Sequence, residues 1–167
     1  MCRLRCASVV LLLFLQCGST QALEVDARKF GFTFQLPSGW KVVGNPNPYR
    51  RALFAIQKDR KARITALLMT DYVLARGDFH YAVLNGVPPR GSKFKITESS
   101  VFRTASNNAG LYTKLDVTTK DGQRLRQSLY SFEIRAWTYL CVSCTGPGDG
   151  SFDQTLESIM KTFRLVR

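Results

Sequence analysis

The sequence predicts a single α+β domain behind a removable leader, and three observations carry that expectation. Across 167 residues, 45% are hydrophobic and 22% charged, the balance of one ordinary globular domain. From Phe30 to Cys144 most apolar residues alternate with polar ones in short runs separated by turns rich in Gly, Pro, Asn and Asp, the pattern of half-buried strands. Two stretches depart from it: Phe79, Ala82 and Val83, and later Leu156, Ile159, Met160 and Phe163, recur at helical spacing.

In chain order, Phe30, Phe32, Phe34 and Leu36 alternate with Gly31, Thr33 and Gln35, which sets three aromatic rings on one side of a strand. Pro37-Ser38-Gly39 forces a turn, from which Trp40 to Val43 is expected to return antiparallel. Gly44-Asn45-Pro46-Asn47-Pro48 ends that strand, because prolines cannot donate to a ladder. Leu53 to Gln57 and Ala62 to Met69 form the next pair, joined by the polar tip Lys58-Asp59-Arg60-Lys61. A short helix follows, with Asp78 expected to cap its first turn and Gly86 near its end. Val87 to Lys93, with its Pro88-Pro89 pair, is a loop by composition.

Phe94 to Arg103, Leu111 to Thr119 and Gln123 to Glu133 read as strands. The last two meet across Lys120-Asp121-Gly122. A two-residue turn there would mix polar and apolar residues on each face, so the preferred register has a three-residue loop. It places Gly122 in the left-handed region, gathers Leu111, Leu115, Val117, Leu125 and Leu129 on one face, and sets Asp116 opposite Arg126. Ala136 to Cys144 is the last long strand, broken by Gly146-Pro147-Gly148-Asp149-Gly150. Ser151 followed by Gln154 has the pattern of a capping box ahead of a final helix whose apolar stripe covers the sheet.

Met1 to Ala22 has the layout of a secretory signal peptide: Arg3 and Arg5, an apolar run from Ala7 to Leu15, then small and polar residues ending in Thr20-Gln21-Ala22. A membrane-spanning anchor needs roughly 18 apolar residues, and this run stops short. A retained anchor and a lipid on Cys17 are the alternatives. With cleavage after Ala22, residues 23–167 form one domain of a periplasmic or secreted protein. The absence of any Asn-x-Ser/Thr site points to a bacterial envelope. The formal net charge of +12 falls by two, with Arg3 and Arg5, to +10. Cys2, Cys6 and Cys17 leave too.

Chemistry is sparse in what remains. A single histidine, His80, excludes histidine-based metal clusters and reads as a surface or packing residue; carboxylates are scattered without metal-binding spacing. No phosphate-cradling glycine loop occurs. No cofactor, metal or catalytic residue is expected, and the chain does not read as an enzyme. Cys141 and Cys144 form a C-x-x-C pair that stands as two buried or partly buried thiols, a disulfide at the strand's end, or a redox pair, with no second Cys or His pair to complete a zinc site. Positive charge clusters twice, as Arg50, Arg51, Lys58, Arg60, Lys61 and Arg63 around one hairpin and as Arg90, Lys93 and Lys95 beside the Pro-Pro loop. Such patches attract polyanions. For an exported protein nucleic acid is out of reach, so the expected partner is an acidic protein or an anionic envelope component.

The run Phe32-Thr33-Phe34-Gln35-Leu36-Pro37-Ser38-Gly39-Trp40, the strand pairs after it and the closing Ser158-Ile159-Met160-Lys161-Thr162-Phe163-Arg164 resemble the PsbP-like superfamily. That group also holds the bacterial DcrB-like proteins and the Ran-binding Mog proteins. The resemblance implies a three-layer α/β/α sandwich with a central, mainly antiparallel sheet of about six strands, and a role as an adaptor or accessory subunit. It transfers no binding residue. The function expected is an exported, non-enzymatic binding domain, with a thiol-disulfide accessory protein or an immunity-like or chaperone-like module as alternatives.

Overall fold

A computed structural model of the chain describes residues 22–28, 31–43, 52–57, 59–69, 76–136 and 138–166. Residues 1–21 of the leader, Phe30, the loop from Gly44 to Pro48, Arg50, Arg51 and Lys58 lie outside the described residues. Ten strands and two helices are described, in the order β1 (Leu23–Ala27), β2 (Phe32–Leu36), β3 (Trp40–Val43), β4 (Ala52–Gln57), β5 (Arg63–Met69), α1 (Arg76–Leu84), β6 (Lys93–Arg103), β7 (Ala109–Thr118), β8 (Arg124–Arg135), β9 (Thr138–Pro147), α2 (Asp153–Lys161) and β10 (Arg164–Leu165). The fold is mixed α+β, as expected. Every neighbouring strand pair is antiparallel.

The larger sheet has seven strands in the order β3-β4-β5-β9-β8-β7-β6, and a second sheet has three, β1-β2-β10. About six strands were expected in one sheet. The aromatic strand β2 does not pair with Trp40–Val43: it sits between β1 and β10, while β3 pairs with β4. The turn at Pro37-Ser38-Gly39, closed from Trp40 N–H to the Pro37 carbonyl with Gly39 at φ +85, therefore carries the chain from one sheet to the other. The physical reason lies in burial. Phe32, Phe34 and Leu36 are almost wholly enclosed, and rings on a fully covered face need an opposing layer more than a hairpin partner.

Alternation along the seven-stranded sheet divides the core in two. Phe102, Tyr130, Phe132, Leu140, Val142 and Cys144 face the small sheet and α2, where Phe163 stacks on Phe32, Phe34 and Phe132 at centroid distances of 5.0, 5.4 and 5.6 Å. Leu115, Val117, Leu129, Tyr139 and Cys141 face α1, with Phe79 stacked on Tyr139 at 4.2 Å. The final helix covers the first of these faces through Leu156, Ile159 and Met160.

The register argued for β7 and β8 holds: Asp116 is opposite Arg126, Val117 opposite Leu125, and Gly122 has φ +83 in a three-residue loop. Two capping expectations fail. Helix α1 begins at Arg76, so Asp78 lies within its first turn. Helix α2 has Phe152 at its N-cap with no side-chain hydrogen bond, because the Ser151 N–H donates to Asp149 Oδ1 (2.9 Å) in the preceding turn. Asp153 instead places its charge at the helix start, where the dipole favours it, and pairs with Lys114 and with Arg126 at 2.9 Å. The last long strand also outruns its expected end at Cys144 and continues to Pro147, opposite Leu125.

Candidate functional site

Sequence separates the two basic clusters by some thirty residues, and the fold joins parts of both. The tight β4–β5 turn, with Arg60 at φ 59, carries Arg60 and Lys61 and leads into Arg63 at the start of β5. The loop after α1 brings Pro89 and Arg90 to the same end of the sheet, and the β7–β8 turn adds Lys120. Around these lies a cleft of about 440 Å³, whose described lining holds five cationic residues, Arg60, Lys61, Arg63, Arg90 and Lys120, and one carboxylate, Asp121. The Thr119 hydroxyl donates to Asp121 and holds its carboxyl below the usual range, so it stays ionised. The ion pairs of Asp26, Asp116, Asp153 and Glu157 lie away from the cleft. The cleft keeps a cationic excess.

Lys93 takes no part in it. Phe94 is opposite Val117, whose side chain faces α1, so Lys93 and Lys95 project from the other face of edge strand β6. Lys120 is the cleft cation that sequence reasoning passed over. Its place in a turn was read, but only the fold shows that this turn ends beside the β4–β5 turn.

A second pocket, about 390 Å³, opens beside the cleft between α1 and the sheet and shares Arg63 and Thr145 with it. Its sheet side includes Thr65, Gln127, Ser143 and Cys141, and its helix side Ala82, Val83 and Val87. None of the polar members stood out in the sequence, because single Thr, Ser and Gln residues on strands carry no motif.

The reactive side chains are packed away. Cys141 and Cys144 are both free and buried, inside β9 and not at its end. Cys141 belongs to the α1 face and Cys144 to the α2 face, so their side chains point apart. Burial pushes the Cys141 thiol up to about 12 and raises that of Cys144 as well, which keeps both protonated near neutrality. His80 is 1% exposed and bridges two hydroxyls, with Nδ1 at 2.8 Å from Ser131 Oγ and Nε2 at 2.8 Å from Thr113 Oγ1. Ser99 extends this network to Thr113 at 3.1 Å, and Ser131 approaches Cys141 Sγ at 3.7 Å. Burial lowers the imidazole pKa, so the ring is neutral. Among the described residues no three His, Cys, Asp or Glu gather in a metal-binding cluster.

No family model matches the sequence, and no curated protein does. Solved structures do. The solution structure of cyanobacterial PsbP from Synechocystis superposes with a TM-score of 0.63 at 11% identity, covering 90% of this chain and 95% of that one. A Bacteroides thetaiotaomicron protein matches at 0.55 and 14% identity over 81% of this chain but only 45% of its own. LpqN of Mycobacterium tuberculosis, a protein involved in cell envelope biogenesis, matches at 0.50 and 11% identity, covering 88% and 91%. The chain thus has the fold of the PsbP-like superfamily that its aromatic strand and closing helix resemble.

Proposed function

We propose that this PsbP-like chain is an exported accessory domain that grips an acidic protein or an anionic envelope component with its basic cleft. The observation that carries the reading is the convergence of Arg60, Lys61, Arg63, Arg90 and Lys120 around one concavity, with Asp121 as the one carboxylate among its described lining residues. A concave site lined by one sign of charge focuses its field and raises the local concentration of oppositely charged partners. The envelope setting draws on the leader-like Met1 to Ala22 and on the role stated for LpqN. Among the described residues, no helix is long and apolar enough to cross a membrane. The reading treats the large sheet as the centre of a three-layer α/β/α sandwich, with α1 as one outer layer and α2 plus the small sheet as the other.

A non-enzymatic role is supported by the state of the reactive groups: a neutral imidazole enclosed by hydroxyls and two protonated thiols offer no activated nucleophile. A thiol-disulfide role would require β9 to open. The test of the binding role uses the chain without its leader and vesicles containing phosphatidylglycerol, lipopolysaccharide, and an envelope extract from the source cells. Binding to at least one should weaken steeply as salt rises, and the combined substitution Arg60→Glu, Lys61→Glu, Arg63→Glu should abolish it. Capture that is insensitive to both salt and charge reversal refutes the reading.

A further inference from the structure

A helix packed on a sheet ordinarily meets apolar side chains, yet beneath the second half of α1 a run of polar side chains lies beside Leu129 and Cys141. Strand β5 offers Arg63 and Thr65, β9 offers Ser143 and Thr145, and β8 offers Gln127. The register makes this one continuous patch: Arg63 is opposite Thr145, Thr65 is opposite Ser143, and Gln127 flanks Thr145 from the other side. Above it, Val83 and Val87 keep the roof apolar, and a space of about 390 Å³ stays open between the two, within the range of small-molecule sites.

Gln127 makes the patch unusual. The residue is 1% exposed, and its Nε2 donates to Thr145 Oγ1 at 3.2 Å, but among the described residues its Oε1 receives no hydrogen bond. An enclosed carbonyl oxygen without a donor costs stability that a leucine here would spare. A cost of that kind, beside an open pocket with a guanidinium at its mouth, is accounted for when a ligand supplies the donor.

We infer that this pocket binds a small organic carboxylate that carries an N–H or O–H donor and a short apolar body. The carboxylate meets Arg63, the donor completes Gln127, the hydroxyls of Thr65 and Ser143 serve either polarity, and the apolar part lies against Val83, Val87 and Leu129. This goes beyond the cleft reading, since it concerns a monomeric ligand in the inner pocket.

N-acetyl-L-leucine, which combines the three features, is the probe, with its C-terminal amide as the uncharged control. In a two-dimensional NMR titration of the chain without its leader, at constant ionic strength, the carboxylate should produce saturable shifts at Gln127, Thr65 and the Val83 and Val87 methyls. The amide should bind about tenfold more weakly, and Gln127→Leu should weaken the carboxylate by about tenfold, the worth of one hydrogen bond to a buried group. Val83→Phe, which fills the space from the helix side, should abolish the shifts with the rest of the spectrum unchanged. Shifts that never saturate, equal affinity for the amide, or unchanged affinity in Gln127→Leu overturn the inference. Gln127→Leu leaves the charge of the cleft intact, so its capture of vesicles or acidic protein reports on that reading separately.

Discussion

His80 is held neutral because α1 presses it between the Ser131 and Thr113 hydroxyls, out of reach of water. Its pKa falls below the ordinary 6.5 on folding, so the unfolded chain takes up the proton more readily. This contribution to stability is therefore complete above the unfolded pKa and is lost as pH falls below it. Urea unfolding midpoints should drop as pH falls below about 6.5, and His80→Gln, which keeps a hydrogen-bonding group without titrating there, should flatten that limb; an equal slope in the variant would assign the drop to other groups. The thiols give a matching expectation. Cys141 and Cys144 should resist a soluble alkylating reagent at neutral pH, with labelling that tracks global unfolding, whereas rapid labelling of the folded chain would show that β9 opens locally. The burial of both residues belongs to tertiary structure. In sequence, His80 stands next to Tyr81, which is exposed, and no periodicity separates the two.

Most elements were legible from the sequence, because alternation and turn residues are local signals. The β7–β8 hairpin shows this best: the demand that Leu115, Val117, Leu125 and Leu129 share a face was enough to choose the three-residue loop over the two-residue one. Strand partnership was less legible, as β2 shows, since alternation states which face is buried and not which neighbour supplies the ladder. The strands β1 and β10 went unread, the first for its charged and polar company and the second for its length of two residues. The site was half legible. Charge clustering pointed to Arg60, Lys61, Arg63 and Arg90, while Lys120, Gln127 and the hydroxyl patch needed three-dimensional neighbours. Gly110 of β7 lies tightly against β8. A Cβ there would come within 2.7 Å of the Phe132 ring and the Ser131 carbonyl oxygen. Gly110→Ala should thus cost about 1–3 kcal/mol by overpacking, seen as a lower denaturant midpoint at unchanged slope. An unaltered midpoint would mean that β8 yields at no cost.

Across the whole molecule, the two sheets and α2 meet at one ring. Phe163 follows the C-cap of α2, stacks on Phe32 and Phe34 of the small sheet and on Phe132 of the large one, and is 1% exposed. Phe163→Ala should destabilise the chain by about 3–5 kcal/mol, with both sheets melting in one transition; retention of the large sheet after loss of the small one would show that they are separable units. The arrangement of β9 also bears on how the chain acquires its shape. Residues three apart on an extended strand are about 10 Å from each other, too far for sulfurs aimed at opposite faces to join. Only a chain in which β9 has yet to form or has opened can cross-link Cys141 to Cys144, and the link would then bar that segment from its central place between β5 and β8. In a compartment that oxidises thiols, maturation becomes a race that strand assembly must win, and a C-x-x-C bridge found in this protein would mark molecules that lost it.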